Sequence, residues 1–175
     1  PQTFVQNHPE QSLNIYRQIC LIANQSKEEH VLDLYCGFGI TSLLLAKNGK
    51  KVTGIEVNGE AIKFAEENAV FNQLKNTHFI RGDVEKALPQ WLKRHQAGLI
   101  IVNPPRQGLT KNIIQTLLKT SAESLIYVSC MPSTLARDLQ LLAEKYEIID
   151  GFVYDMFPQT AHVETLVHLK RKSSP

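Results

Sequence analysis

Five times between residues 31 and 145 a short apolar run is followed by a segment whose apolar residues recur at helical spacing. The runs are 31–35, 51–55, 77–80, 98–102 and 124–129, and the segments after them are 40–47, 59–71, 84–94, 110–119 and 133–145. Period-two and continuous apolar runs mark strands, and a three-to-four-residue recurrence marks amphipathic helices. Strict alternation of the two constrains the chain to a parallel sheet with helices on both faces, because each crossover returns over the sheet. Two further strand candidates, 147–154 and 163–169, follow with no helix between them, joined by a loop that contains Pro158. A terminal hairpin of this kind adds an antiparallel strand at or near one edge. The expectation is an α/β fold of about seven strands. Residues 1–7 are expected to be extended and to lead into a helix from Pro9, with residues 1–30 packed on the same domain. From Glu10 to Ala23 the apolar residues Leu13, Ile15, Tyr16, Ile19 and Ile22 recur near the spacing of a helix. Further on, such spacing places Ile62, Ala65, Ala69 and Phe71 on the buried side of 59–71, and Ile113, Ile114, Leu117 and Leu118 on that of 110–119. Pro89 is expected to break or restart the helix over 84–94.

With 175 residues the chain is long enough for one domain with a sizeable core. It has no run long enough to cross a bilayer and no signal-peptide pattern at its start. A net charge of +2 permits nucleic-acid binding without arguing for it. Cys20, Cys36 and Cys130 are odd in number, far apart and outside any CxxC spacing, so neither a zinc site nor an iron–sulfur cluster is expected. Reduced thiols and a cytoplasmic location are the default. Cys20, on an amphipathic segment, and Cys36, in a turn, are assigned to packing. The chain begins at Pro1 without Met and is expected to be part of something longer.

Polar residues gather at the C-terminal ends of the runs, where open α/β sheets hold ligands. Asp33-Leu-Tyr35-Cys-Gly37-Phe-Gly39 opens the first helix, and its glycines let the backbone turn sharply beside a ligand. Ser42 stands where a dinucleotide fingerprint has its third glycine, which weakens a dinucleotide reading. Glu56, Asp83 and Asn103 close the next three runs. An acid after the second run can accept from ribose hydroxyls, and one after the third can bind an adenine amine. These groups suit an adenosine-like ligand. No phosphate-binding lysine loop is present, so S-adenosylmethionine fits better than a nucleoside triphosphate. Cys130 follows the fifth run and precedes a helix opened by Pro132 and Ser133. Two roles stay open for it: a nucleophile with its pKa lowered by helix amides, or a small buried residue. Glu164 alternates onto the face opposite Val163, Thr165, Val167 and Leu169, and that pattern alone favours an outward carboxylate.

Taken together, VLDLYCGFG, IEVN, VNPPR, YVSCMPSTLARDL and DMFPQTAHVET resemble the RNA uracil-C5 methyltransferases, over nearly the whole chain. The resemblance implies a Rossmann-like class I methyltransferase fold, S-adenosylmethionine as cofactor and RNA as partner. It implies cofactor contacts at Gln6, Tyr35, Glu56, Asp83 and Asn103, beside Gly37 of the turn. It implies Cys130 as the nucleophile that adds to C6 of uracil and Glu164 as the base that takes the C5 proton. Asn103 departs from the usual Asp of that family, Met131 from a frequent Asn, and Ile40 from an Asn in some members. TLARDL and DMFPQTAHVE look more like the ribosomal-RNA members than the transfer-RNA ones. Members commonly carry an N-terminal RNA-binding domain, so this chain is expected to be the catalytic portion. Arg106 is placed on the substrate loop, facing RNA phosphate or a local carboxylate. Phe157 and Pro158 are placed at the wall of the uracil pocket. His162 has three open roles: orienting Glu164, contacting phosphate or capping the strand. The competing readings are a transfer-RNA member, an amine-directed methyltransferase using the NPP loop, and an inactive binding module. Arg106 stands where the amine-directed enzymes have an aromatic residue.

Overall fold

The computed structural model describes residues 9–156 and 163–173. Its elements run α1(Pro9–Gln25), β1(His30–Leu34), α2(Ile40–Lys47), β2(Lys51–Glu56), α3(Gly59–Phe71), β3(Thr77–Arg81), α4(Val84–Leu92), β4(Leu99–Val102), α5(Lys111–Lys119), β5(Ser124–Ser129), α6(Pro132–Leu142), β6(Tyr146–Asp155) and β7(Val163–Arg171). The strands form one sheet in the order β3-β2-β1-β4-β5-β7-β6. β1 through β5 pair in parallel, and β7 runs antiparallel to both β5 and β6. The order reverses between β1 and β4, which is where such sheets open a crevice at their C-terminal edge.

Alternation along each strand sends side chains to two cores. On one face Leu32, Leu34, Leu125, Tyr127, Val167 and Leu169 pack with α4, α5 and α6. On the other, Val31, Val52, Ile101, Ile126, Val128 and Leu166 pack with α1 and α2. Helix starts are fixed locally. The Asn58 side chain accepts from the backbone N–H of Glu60 and Ala61, Asp83 accepts from Glu85, and Thr110 accepts from Ile113. Each cap satisfies donors that the first helical turn leaves free. Gly39, at φ 74°, precedes α2, and a Cβ there would come within 2.8 Å of the Ala65 Cβ. The loop therefore reaches α3 only because residue 39 is glycine.

Two expectations are corrected. α4 runs through Pro89 unbroken. Leu88 and Trp91 anchor it in the core while Pro89 faces solvent. Phe71 is 83 % exposed, because nine residues from Ile62 is half a turn off that buried face. Leu13 is 50 % exposed for the same angular reason, being two residues from Ile15. The terminal hairpin forms one edge of the sheet as expected, with β7 between β5 and β6, and residues of both parities of β7 are buried. Among the described residues no helix is long and apolar enough to cross a membrane.

Candidate active site

A cavity of about 570 Å³ opens at the C-terminal edge of the sheet, across the reversal between β1 and β4. The loops after β1, β2, β4 and β5, the start of β7 and one side of α1 line it. Tyr35, Gly37, Glu56 and Asn103, expected at a cofactor, are all on its wall, as are Arg106, Cys130 and Glu164. Asp83 is not among the lining residues; its carboxylate caps α4. Gln6, Phe157 and His162, with Pro158, lie outside the described residues.

The wall after β1 is built from unusual backbone. Tyr35, Gly37 and Gly39 all have φ between 53° and 74°. For a bulky side chain such as Tyr35 this region costs of order 1–3 kcal/mol and persists only where the surroundings impose it. The surroundings here are tethers. Cys36 donates its N–H to Ile55, and Gly37 donates to Glu56 Oε2 at 3.2 Å. Glu56 Oε1 accepts from the N–H of Asn58 at 2.9 Å. Each oxygen of this carboxylate is thus fixed by a backbone donor at the cavity rim. Beneath it lies Asp33, only 2 % exposed, which accepts from the Ser42 hydroxyl at 2.6 Å. Burial pushes the Asp33 pKa up to about 7, against the pull of Ser42.

The other end holds Cys130 and Glu164. Ser129 of β5 pairs with Thr165 of β7. One residue further toward the cavity, Cys130 and Glu164 stand opposite each other across the two strands. Both lie on the face that carries α1, the side to which Val128 and Leu166 point. Glu164 is 7 % exposed and its Oε2 has no hydrogen-bond partner among the described residues. Burial raises its pKa to about 7. The outward carboxylate favoured by alternation is therefore buried, because α1 covers this end of β7. Cys130 is half-buried. Its thiol pKa is raised by burial and by the facing Glu164, against a downward pull from the Arg106 guanidinium, which lies within hydrogen-bonding reach. The lowered value expected from helix amides is thus not the net result, since desolvation outweighs it.

Two lining residues escaped notice as functional groups. Tyr16 was read only among the apolar residues of its helix; it lines the cavity, where burial, with Asp33 and Glu164, raises its pKa. Asp33 was read only as the start of a turn. The signal available was a carboxylate inside an apolar strand, which needs a partner or a function. Cys20 and Cys36 are free thiols packed against the cores, as assigned.

The fold is that of the class I methyltransferases. The N-methyltransferase NodS of Bradyrhizobium japonicum superposes over 95 % of this chain and 90 % of its own, with a TM-score of 0.76 at 17 % identity. The chain belongs to the family described as tRNA (uracil-5-)-methyltransferase, which it matches over residues 1–172. An RNA methyltransferase of Protochlamydia amoebophila is 60 % identical over 173 residues, 98 % of this chain and 40 % of that protein. One from Staphylococcus epidermidis is 43 % identical over 97 % of this chain and 38 % of its own length. The tRNA (uracil-54, C5)-methyltransferase of Pyrococcus abyssi, solved with S-adenosyl-L-homocysteine, superposes over 97 % of this chain and 40 % of its own, with a TM-score of 0.83 at 32 % identity. The chain spans about two-fifths of the length of these curated relatives.

Proposed function

We propose that this chain is the catalytic portion of an enzyme that methylates C5 of a uridine in RNA, with S-adenosylmethionine as methyl donor. The observation that carries the reading is the pair at the mouth of the cavity. A half-buried thiol faces a buried carboxylate, one oxygen of which has no hydrogen-bond partner among the described residues.

The donor set fits the cofactor. Asp33, Glu56 and Glu164 line the cavity against one described cation, Arg106, so its field favours a positively charged ligand. Glu56 presents a carboxylate already oriented by two backbone donors, suited to ribose hydroxyls. Gly37 is open on its cavity side, with nothing within 4 Å of a Cβ placed there. Tyr35 and Asn103 complete that wall. When bound, S-adenosylmethionine supplies an electrophilic methyl group.

C5 of uracil is too weak a nucleophile to take that methyl unaided. The Cys130 thiolate adds to C6, and the electron pair moves through C5–C4 toward O4, making C5 enolate-like. After C5 gains the methyl group, Glu164 removes its proton. The C5–C6 double bond re-forms as the Cys130 sulfur leaves. A base with pKa near 7 is matched to this step at neutral pH, being partly deprotonated and still strong enough to accept a proton.

Ribosomal RNA is the substrate proposed, from the TLARDL and FPQTAHVE segments. Likeness to the Pyrococcus abyssi enzyme makes transfer RNA the second arm of the test. Labelled methyl transfer to both RNAs is measured with the parent protein and its Cys130→Ala variant. Methylation at C5, lost in the variant, is expected, with a covalent adduct on RNA carrying 5-fluorouridine. Methylation of an amine, or transfer that survives Cys130→Ala, overturns the reading.

A further inference from the structure

One buried charge lies outside the cavity. Asp138, on α6, is 0 % exposed and is surrounded by donors. Its Oδ2 accepts from the Tyr127 hydroxyl and from the N–H of Leu109, each at 2.7 Å. Its Oδ1 accepts from Arg137 Nε at 2.9 Å and Nη2 at 2.7 Å. The same Nη2 donates to the carbonyls of Gln107 at 2.9 Å and Leu109 at 3.3 Å. One turn earlier, the Thr134 hydroxyl lies 3.1 Å from the carbonyl of Arg106 and donates toward it. α6 therefore grips the backbone of residues 106, 107 and 109. Between them Gly108 has φ 75°, and a Cβ there would stand 2.5 Å from Asp138 Oδ2 and 2.8 Å from Arg137 Nη2. Only glycine lets the loop lie this close.

Both anchors of this clamp belong to the segments that carry Cys130. Tyr127 is in β5, three residues before it, and α6 begins two residues after it. The loop end of the clamp carries Arg106, which lines the cavity together with Cys130 and draws its thiol pKa down. The pair joins a fully buried Asp138 to a half-exposed Arg137, and such a pair adds little to stability alone. What it supplies is a fixed geometry.

We propose that Asp138, with Tyr127 and Arg137, is a positioning group for the nucleophile: it locks residues 106–109 against β5 and α6 and so holds the Arg106 guanidinium on the Cys130 thiol. The proposal rests on Cys130 being the nucleophile. The charged groups facing the thiol are Glu164 from β7 and Arg106 from the loop after β4; Asp33 and Tyr16 line the same cavity from β1 and α1. Loosening the clamp moves away Arg106, the one cation facing the thiol among the described residues, and leaves the carboxylates, so the thiol titrates at higher pH.

The test is the rate of Cys130 alkylation by iodoacetamide against pH in the parent protein, resolved by peptide mass spectrometry, without RNA or cofactor. Asp138→Asn keeps the shape and loses the charge. Its alkylation midpoint is expected to rise by about one pH unit, which slows alkylation at pH 7 about tenfold. Tyr127→Phe removes one bond and is expected to slow it about threefold. Leu88→Ala, a core truncation on α4, is expected to lower the melting temperature and leave the midpoint in place. If Asp138→Asn fails to fold, Tyr127→Phe and Arg137→Lys carry the test. A folded clamp variant with the parent midpoint, or an equal shift in Leu88→Ala, overturns the proposal. An adduct with 5-fluorouridine RNA is scored separately. A clamp-dependent midpoint without that adduct removes the function and keeps the clamp, and an adduct with a clamp-independent midpoint does the reverse.

Discussion

Glu56 and Glu164 are carboxylates at the same edge of one sheet, on the wall of one cavity, and their surroundings are opposite. Glu56 is half-exposed, with each oxygen accepting a backbone N–H. Glu164 is buried, with an oxygen that nothing among the described residues satisfies. A satisfied carboxylate is a fixed acceptor, which suits holding a ligand. An unsatisfied one has its charge disfavoured and its proton affinity raised, which suits taking a proton. On the proposed reading, the two ends of the cavity separate binding from chemistry by how completely each acid is solvated by its own backbone.

The contrast breaks most sharply in turnover. Glu164→Gln is expected to slow methyl transfer by about 10²–10⁴-fold, the usual contribution of a positioned base, with cofactor affinity little changed. Isothermal titration with S-adenosylmethionine beside single-turnover methylation separates the two. A variant that loses affinity and keeps its turnover would reverse the roles. Glu56→Ala is expected to do the opposite. Losing charged hydrogen bonds worth about 1.5–3 kcal/mol weakens cofactor binding roughly 10- to 100-fold. Turnover at saturating cofactor should stay near that of the parent.

Stability gives the next measure. A carboxyl raised from 4.5 to about 7 holds its proton in the folded state over a range where the unfolded chain has released it. Through that window the unfolded state binds fewer protons, so stability falls as pH rises from about 4.5 to 7 and then levels. Asp33, also raised to about 7, adds in the same direction. Chemical denaturation at pH 5 and pH 8 should therefore find the parent weaker at pH 8. Glu164→Gln, with no charge to desolvate, should recover on the order of 2 kcal/mol at pH 8 and nothing at pH 5. A flat difference between parent and variant across pH would mean that Glu164 is solvated in the folded protein.

Much of this was legible because it is local. Apolar runs and helical spacing located every strand and helix of the described residues to within a few positions, and the residues closing β1, β2 and β4 line one cavity. What was not legible depends on pairing between distant segments. Glu164 reads as an outward residue because its strand alternates, and only the placing of β7 between β5 and β6, under α1, buries it. Phe71 was misplaced by counting apolar residues without their angles. The Cys130 thiol was expected to be lowered by a helix start nearby in sequence. Its true neighbours include Glu164 and Arg106, and both come from other parts of the chain.

Asp83 extends the same comparison to a third acid, with the smallest expected effect. It closes β3 as Glu56 closes β2, and position alone assigns both to the cofactor. Their side chains differ in what they hold. Glu56 lines the cavity, whereas Asp83 is exposed and accepts from the N–H of Glu85 at 2.9 Å as the cap of α4. A cap of this kind is worth about 1 kcal/mol, and Asn performs it as well as Asp. Asp83→Ala should therefore lower stability by about that amount and leave cofactor affinity within about threefold, while Asp83→Asn should match the parent in both. A tenfold loss of affinity in Asp83→Ala, with its melting temperature intact, would place the carboxylate on the ligand and make two tethered acids, not one, responsible for binding.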